Sequence, residues 1–223
     1  MKKVYLITTG HSPREDIADD LRAHFSEKIE VCEAGAMDAF TVEQVKTDFA
    51  PEEGKATFVS RLSNGEMVAF SEEKAMPLVQ ACVDMACEDG ADAIIILCTS
   101  DFPRLRSSVP VLYPGDLEKK VAVSVAGGMK VAYLFPFATH APGMAESWKN
   151  AGLPGNYACY HHSSGAPFEE VIEFFKKDDP DFIVLDCMGY SFEMAEKVGK
   201  DTGKPLILPR SLLVNTTHML LGL

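Results

Sequence analysis

The chain has 223 residues, of which 21 are basic and 33 acidic, so its net charge at neutral pH is −12. This charge argues against nucleic acids or anionic membranes as partners, because proteins bind these with a basic surface. The sequence shows no secretory signal at its start and no apolar stretch close to the ~18 residues that a membrane helix needs. We therefore expect a cytoplasmic protein without a nucleic-acid or membrane partner.

Strands and helices alternate along the first half of the sequence. Short β-branched runs predict the strands, and apolar residues at helical spacing predict the helices. The predicted elements are a strand at 4–8, a helix at 15–26, a strand at 29–32, helices at 41–48 and 71–88, a strand at 91–97 and a helix at 114–126. Such alternation is typical of a parallel sheet covered by helices.

One segment departs from this alternation and predicts a β-hairpin. Residues 57–62 and 66–70 read as two strands joined by a turn at Asn64 and Gly65. The apolar face is expected to consist of Phe58, Ser60 and Leu62 on one strand and Met67 and Ala69 on the other. We expect this insertion to cover the edge of a binding cleft or to form the interface of a homodimer.

The second half restarts the pattern of the first. Residues 130–134 resemble residues 3–6, and Gly127 and Gly128 form the expected boundary between two domains, 1–127 and 128–207. The elements predicted after the boundary are a strand at 130–134, a helix at 143–151, a strand at 157–160, a helix at 167–177, a strand ending near 185, a helix at 192–202, a strand at 206–208 and a helix from 211. The predicted fold is α/β, with two pseudo-symmetric parallel-sheet domains of flavodoxin-like or Rossmann-like type.

Two cysteines occupy matching positions in the two halves. Cys98 and Cys187 each end a buried strand, and an Asp stands six residues before each of them. The alternative interpretation is that both are small core residues, as we expect for Cys32, Cys82 and Cys87. The repetition favours a function, because one thiolate can remove a proton from carbon while a thiol opposite returns one to the other face. Such chemistry needs no cofactor, and we predict none.

Other motifs of known chemistry are missing. The sequence has neither a dinucleotide nor a P-loop fingerprint, and no GxSxG elbow. The pair His161 and His162 could suggest a metal, but neighbouring residues of an extended chain point in opposite directions. We expect a hydrogen-bonded or solvated loop pair there and no metal site.

Polar loops follow the strands where a small carboxylate ligand is expected to bind. Hydroxyls, free backbone N–H groups and helix N-termini gather at the carboxyl ends of parallel strands. An arginine in such a loop offers a bidentate partner for a carboxylate. The predicted substrate-binding residues are Thr9, Gly10, Ser12, Arg14, Thr99, Ser100, Gly189 and Tyr190.

The two cysteine loops resemble those of the aspartate/glutamate (and hydantoin) racemase-like superfamily. Within that superfamily the sequence is similar to the AroM family in three segments, 8–14, 61–65 and 185–190. The resemblance implies two pseudo-symmetric domains with the active site in a cleft between them. It also implies that the terminal helix, 208–223, packs back on the first domain.

The sequence departs from the amino-acid racemases of that superfamily beside both cysteines. Thr99 stands where those enzymes have Asn, and Asp186 and Met188 replace the usual neighbours of the second cysteine. An amino acid is therefore not the expected substrate. The resemblance implies a cofactor-independent racemase, epimerase or isomerase of a small carboxylic acid. The alternatives are a binding or regulatory protein without turnover, or a decarboxylase, lyase or hydrolase that uses one thiol.

The two-base hypothesis makes a geometric demand on the cysteines. If each sulfur lies within about 3–4 Å of one substrate carbon, the two sulfurs are about 7–8 Å apart in the closed site. Because Asp186 stands beside Cys187 and its charge would oppose ionisation of that thiol, we expect Cys98 to be the resting base and Cys187 the acid.

Overall fold

The computed structural model describes residues 1–161 and 164–223. Within these ranges the strands are β1 (Lys2–Thr8), β2 (Ile29–Gly35), β3 (Thr57–Arg61), β4 (Met67–Ser71), β5 (Ala93–Ile96), β6 (Val111–Leu112), β7 (Val131–Phe135), β8 (Gly155–Cys159), β9 (Phe182–Leu185) and β10 (Leu206–Ile207). The helices are α1 (Glu15–His24), α2 (Val42–Asp48), α3 (Glu72–Glu88), α4 (Pro114–Val125), α5 (Ala141–Asn150), α6 (Glu169–Asp178), α7 (Phe192–Thr202) and α8 (Pro209–Leu221).

Two parallel four-stranded sheets form the α/β fold. The first has the order β2-β1-β5-β6 and the second the order β10-β9-β7-β8. If the hairpin strands β3 and β4 are left out and the strands of each half are counted in chain order, both sheets have the order second, first, third, fourth. The repeated sequence pattern therefore corresponds to a repeated topology, and the predicted fold class is confirmed.

Burial of the middle strands explains why their sequences are continuous apolar runs. All four residues of β5 and of β9 are buried, as are all five residues of β7. A strand that is covered by helices on both faces has no solvent side and so needs no polar alternation. These buried strands position the loops that follow them.

Contacts divide the chain into two compact units. The first contains residues 1–98, 102–113 and 216–223. The end of α8 is held in this unit: the backbone N–H of Ser26 donates to Nε2 of His218 over 3.0 Å, and the ring of Phe25 packs edge-on against the same imidazole.

The second unit contains residues 99–101 and 114–215, so it includes α4 and the first part of α8. This division differs from the expected boundary at residue 127. The reason is packing: Ala122 and Ala126 belong to the same apolar cluster as Tyr133 and Trp148. A pair of glycines marks a turn, but it does not decide which core the preceding helix joins.

The hairpin formed by β3 and β4 packs on the core of the first unit. Phe58 lies opposite Phe70 in the antiparallel pairing, and its ring stacks on Phe102 with centroids 5.0 Å apart. The prediction for β3 is correct, because Phe58, Ser60 and Leu62 are all buried. The prediction for β4 is wrong.

The error in β4 is one of register. Met67 and Ala69 lie opposite Arg61 and Val59, and so face away from the buried side of β3. Phe70 carries that side instead. A single strand pattern with apolar residues on both faces does not reveal which face is covered; the cross-strand pairing does.

The two-residue strand β6 was not predicted from the sequence. It pairs with β5 through Ile94 and Ile95, and its own pattern is too short to stand out. Among the described residues, no helix is both long and apolar enough to cross a membrane.

Candidate functional site

Cys98 and Cys187 occupy the same place in their respective sheets. In the first sheet Val4 pairs with Ala93, and in the second Val131 pairs with Phe182; each cysteine comes five residues after the pairing residue of its own strand. The residue before each cysteine also makes the same bond: Leu97 N–H donates to Ile7 O over 2.8 Å, and Asp186 N–H to Leu134 O over 3.0 Å. The equivalence therefore extends to the single residue.

Both thiols are partly buried. Cys98 packs against the core of the first unit, and Cys187 against a core cluster of the second. All six cysteines lie in the described part of the chain, and none of them forms a disulfide. The other sulfurs differ in environment: Cys82 is half-buried on α3, where burial raises its pKa to about 11, whereas Cys159 is exposed at the end of β8.

The Cys187 loop contains a contact suited to a sulfur anion. The backbone N–H of Gly189 donates to Sγ of Cys187 over 3.3 Å. A thiolate accepts such a bond better than a thiol does, because the acceptor carries the charge. The N–H of Gly189 would therefore stabilise a negative charge on this sulfur.

Tyr190 supports this loop from below. Its ring is 2 % exposed and its hydroxyl donates to the backbone oxygen of Tyr160 over 2.8 Å. Burial raises the pKa of Tyr190 well above its ordinary value, and the negative charge of a Cys187 thiolate raises it further. The hydroxyl is therefore a fixed neutral donor within the second unit.

Asp186 turns away from solvent, into the second unit. Its Oδ2 accepts a hydrogen bond of 2.7 Å from Nε1 of Trp148 on α5, and the hydroxyl of Thr99 also donates to it. Burial raises the pKa of Asp186, while these hydrogen bonds act in the opposite direction. Thr99 directly follows Cys98, and Asp186 directly precedes Cys187, so one hydrogen bond joins the neighbours of the two cysteines.

The start of α4 holds the Thr99 segment in place. A Cβ atom added to Gly115 would lie 2.1 Å from the backbone oxygen of Thr99 and 3.3 Å from that of Ser100. Only glycine permits this approach. Ser100 itself is exposed beside this helix start.

A buried arginine holds the other side of the Cys187 loop. Arg210, at the start of α8, is 1 % exposed, and its Nε donates to the backbone oxygen of Met188 over 2.8 Å. Sequence reasoning missed Arg210, Gly115 and Trp148. Each acts on a residue distant in sequence, and none belongs to a recognisable motif.

In the first unit, the loop after β1 is closely packed by the hairpin. Thr9 is 2 % exposed, and a Cβ atom at Gly10 would lie 2.6 Å from the backbone oxygen of Arg61 and the same distance from Oγ of Ser60. The hairpin therefore lies directly on this loop. That the loop borders a ligand site stays a prediction, and the hairpin would border the same site.

His11 connects the same loop to two others. Its Nδ1 accepts a bond of 3.2 Å from the backbone N–H of Ser63, which leaves the proton on Nε2, 2.8 Å from the backbone oxygen of Phe40. Both ring nitrogens are thus used, Nδ1 towards the hairpin turn at Ser63 and Nε2 towards the loop that contains Phe40.

Two of the side chains predicted to bind a substrate carboxylate, Ser12 and Arg14, are bound to carboxylates of the protein. Asp38 accepts from the backbone N–H of Ser12 over 2.7 Å and from its hydroxyl over 2.6 Å. Arg14 forms a bidentate pair with Asp16, with both N–O distances 2.8 Å. Ser12 and Arg14 are therefore already bound to carboxylates of the chain, and the binding of a substrate carboxylate by this loop stays a prediction.

A second arginine joins this pair from the hairpin. Nη1 of Arg61 lies 3.5 Å from Oδ1 of Asp16. Its side chain is 39 % exposed, against 9 % for Arg14. Two guanidinium groups thus share one carboxylate, and the exposed one is Arg61.

No group of three or more His, Cys, Asp or Glu side chains suited to a metal ion occurs among residues 1–161 and 164–223. Of the histidine pair considered in the sequence, His161 stacks on Phe137 with centroids 4.7 Å apart. His162 lies outside the described residues.

Comparisons with solved structures show how the fold is used elsewhere. The chain is similar to an allantoin racemase from Klebsiella pneumoniae, with a TM-score of 0.67 and 19 % identity over 100 % of this chain and 89 % of that one. It is similar to the maleate isomerase Iso from Pseudomonas putida S16, with a TM-score of 0.65 and 14 % identity over 100 % and 93 %. An arylmalonate decarboxylase gives a TM-score of 0.64 and 11 % identity over 99 % and 93 %.

At these identities the structural matches establish a racemase-like fold and leave the reaction open. A comparison with curated protein sequences finds no significant match. The family model described as AroM protein matches residues 4–221, nearly the whole chain. This chain belongs to the AroM family.

Proposed function

We propose that this protein is a cofactor-independent racemase, epimerase or isomerase of a small carboxylic acid, acting through Cys98 and Cys187. The observation that carries the proposal is the identical register of the two cysteines in two sheets of identical strand order. A core thiol has no need of such a match. A pair of thiols that serve opposite faces of one carbon needs matching positions on two equivalent supports.

The proposed chemistry is two proton transfers at one carbon. A cysteine thiolate takes the proton bonded to the carbon next to the substrate carboxylate, and the electron pair moves into the carboxylate to give a planar intermediate. The thiol on the other side then gives its proton to the opposite face. Each turnover exchanges the roles of the two sulfurs, so no external oxidant, reductant or activated group enters.

The structure changes which sulfur we propose as the resting base. From the sequence alone, the charge of Asp186 is expected to oppose a Cys187 thiolate. That carboxyl group instead binds Trp148 inside the unit, and Gly189 N–H donates to the sulfur. We assign Cys187 as the thiolate and Cys98 as the thiol.

Recognition of the substrate carboxylate is assigned to the loop after β1 and the hairpin. Arg61 is the exposed guanidinium there, and Arg14 fixes its carboxylate partner Asp16. A bound acid would meet one net positive charge from the two arginines and Asp16. The substrate carboxylate would thus bind at the predicted loop, with Arg61 rather than Arg14 as its main partner.

The first test is a search for a ligand, followed by exchange. Small 2-substituted carboxylic acids are screened for a rise in melting temperature, because a ligand that binds only the folded state stabilises it. Each acid that binds is incubated in heavy water, and loss of its α-hydrogen signal is followed by NMR. Cys98→Ser and Cys187→Ser are expected to abolish inversion, while Cys159→Ser, at an exposed thiol outside the pair, leaves it intact.

Other outcomes of this experiment assign the alternatives. Binding without exchange would favour the binding or regulatory protein. Loss of carbon dioxide, or turnover that survives removal of one of the two cysteines, would favour a one-thiol enzyme such as a decarboxylase.

A further inference from the structure

Glu118 is a fully buried acid for which the proposed chemistry gives no role. It lies on α4 with 0 % exposure, on the face that also carries Gly115 and Ala122. Among the described residues, no N–H or O–H group donates a hydrogen bond to either of its carboxyl oxygens. A buried carboxylate without donors would be very costly.

The carboxyl group of Glu118 interacts with the carboxyl group of Asp186. Two carboxylates repel each other, and a hydrogen bond between them exists only if one carries a proton. Asp186 already accepts from Trp148 and Thr99, which stabilise a negative charge on it. Glu118 has no such donors, so the proton belongs on Glu118.

We propose that Glu118 is a positioning residue, which keeps its proton at neutral pH and donates a hydrogen bond through it to the Asp186 carboxylate. The pair then carries one negative charge, held by three donors. Since Asp186 precedes Cys187 and its partner Thr99 follows Cys98, the proton of Glu118 fixes the backbone from which both thiols project. The location of the proton is independent of the proposed function; its effect on the cysteines rests on it.

The charged and titratable groups around the pair agree with this assignment. Burial raises the pKa of Glu118 well above its ordinary value, and the Asp186 charge raises it further. Lys119 opposes the shift, but its ammonium group binds Asp101 over 2.5 Å and Ser147 over 2.8 Å. The hydroxyl of Tyr133, on β7, donates to the backbone oxygen of Leu153 over 2.6 Å and does not supply the pair with a proton.

Infrared difference spectroscopy at neutral pH locates the proton without any substrate. The stretching band of a protonated carboxyl group is expected in the unmodified protein and in Asp186→Asn, and it is expected to disappear in Glu118→Gln. Asp116→Asn, a partly buried acid of the same helix that pairs with Lys120, is the control and keeps the band. A band that survives Glu118→Gln, or disappears in Asp186→Asn alone, would place the proton elsewhere and overturn the proposal.

Proton linkage gives a second measurement. Because the folded-state pKa of Glu118 is raised, its contribution to stability is complete below the unfolded-state value and is lost as the pH rises towards the folded-state value. The unfolding equilibrium constant of the unmodified protein should therefore increase relative to Glu118→Gln by up to roughly tenfold per pH unit above about pH 5. A ratio that stays constant up to about pH 8 would contradict a protonated Glu118.

Positioning is tested at the thiols. Glu118→Gln keeps a donor to Asp186, whereas Glu118→Leu fills the space without one. Alkylation rates of Cys98 and Cys187 are expected within about twofold of the unmodified protein in the Gln variant, and changed by roughly tenfold in the folded Leu variant. Equal rates in both variants would show that the carboxyl pair does not act on the cysteines. If the infrared result holds while no acid is ever turned over, the proposed function fails and the proton assignment stands.

Discussion

The indole N–H of Trp148 and the carboxylate of Asp186 form a hydrogen bond of 2.7 Å in the interior of the second unit. The residue that follows Asp186 is Cys187, so the orientation of this carboxylate affects both the charge near the thiol and the path of its loop. The finding adds a structural role for Asp186, because the bond to Trp148 holds the segment that bears Cys187.

The strength of this bond can be measured by a double-mutant cycle. Trp148→Phe and Asp186→Asn, alone and together, should give a coupling of about 1.5–3 kcal/mol in the free energy of unfolding, as expected for a buried bond to a charged acceptor. Urea titrations of the four proteins provide the values. A coupling below about 0.5 kcal/mol would mean that the bond contributes little.

The contact between the loop after β1 and the hairpin predicts a position that tolerates only glycine. Gly10→Ala places a methyl group 2.6 Å from a backbone oxygen of the hairpin, and backbone cannot yield as the end of a flexible side chain can. We expect a loss of about 2 kcal/mol or more in stability. Gly127→Ala, where a methyl group would meet open space, is the control and should change stability by less than about 0.5 kcal/mol. Equal effects would contradict the close contact.

The two arginines at this loop should separate binding from stability. Arg61→Gln is expected to weaken binding of a carboxylic acid by roughly tenfold to a hundredfold, the range for a lost bond between charged groups, with little change in melting temperature. Arg14→Gln should lower the melting temperature, because it leaves Asp16 without its buried bidentate partner. Arg106→Gln, at an exposed arginine of the same unit, controls for the loss of charge. The reverse pattern would return the binding role to Arg14.

The Gly189 N–H provides a test of the Cys187 thiolate. Gly189→Pro removes this donor, whereas Gly189→Ala keeps it. Alkylation of Cys187 at neutral pH should slow by roughly tenfold in the Pro variant and by less than about twofold in the Ala variant, because the thiolate is the reactive form. Circular dichroism confirms that both variants are folded. Similar rates in the two variants would show that the bond from Gly189 does not favour the thiolate.

Much of the fold could be predicted because its signals are local. The buried strands are short apolar runs, and the helices show apolar residues at helical spacing. The repeat of residues 91–98 in 180–187 also predicted the matching of the two cysteines, which the strand register confirms. The face of β4 and the unit that α4 joins could not be predicted, since both depend on partners distant in sequence.

The residues around the Asp186 carboxylate could not be predicted for the same reason. Thr99, Glu118, Trp148 and Asp186 come from four separate segments, and no spacing rule connects them. One signal was present: Glu118 lies four residues before Ala122 on the buried face of α4, where an acid is unusual. No comparable signal indicated that Ser12 binds Asp38 and that Arg14 binds Asp16, because an acidic chain offers many carboxylates as partners.

The most direct test of the two-thiol account is the label pattern during inversion of one enantiomer of a bound acid in heavy water. With two thiols, the product formed at early times carries deuterium from the solvent, because one sulfur takes the substrate's proton and the opposite sulfur delivers deuterium. The remaining substrate stays unlabelled, because the sulfur on its side does not deliver deuterium to it. The account predicts this asymmetry from both enantiomers, and its loss in Cys98→Ser and in Cys187→Ser. Deuterium appearing equally in substrate and product from the start, or inversion persisting in either single variant, would contradict it.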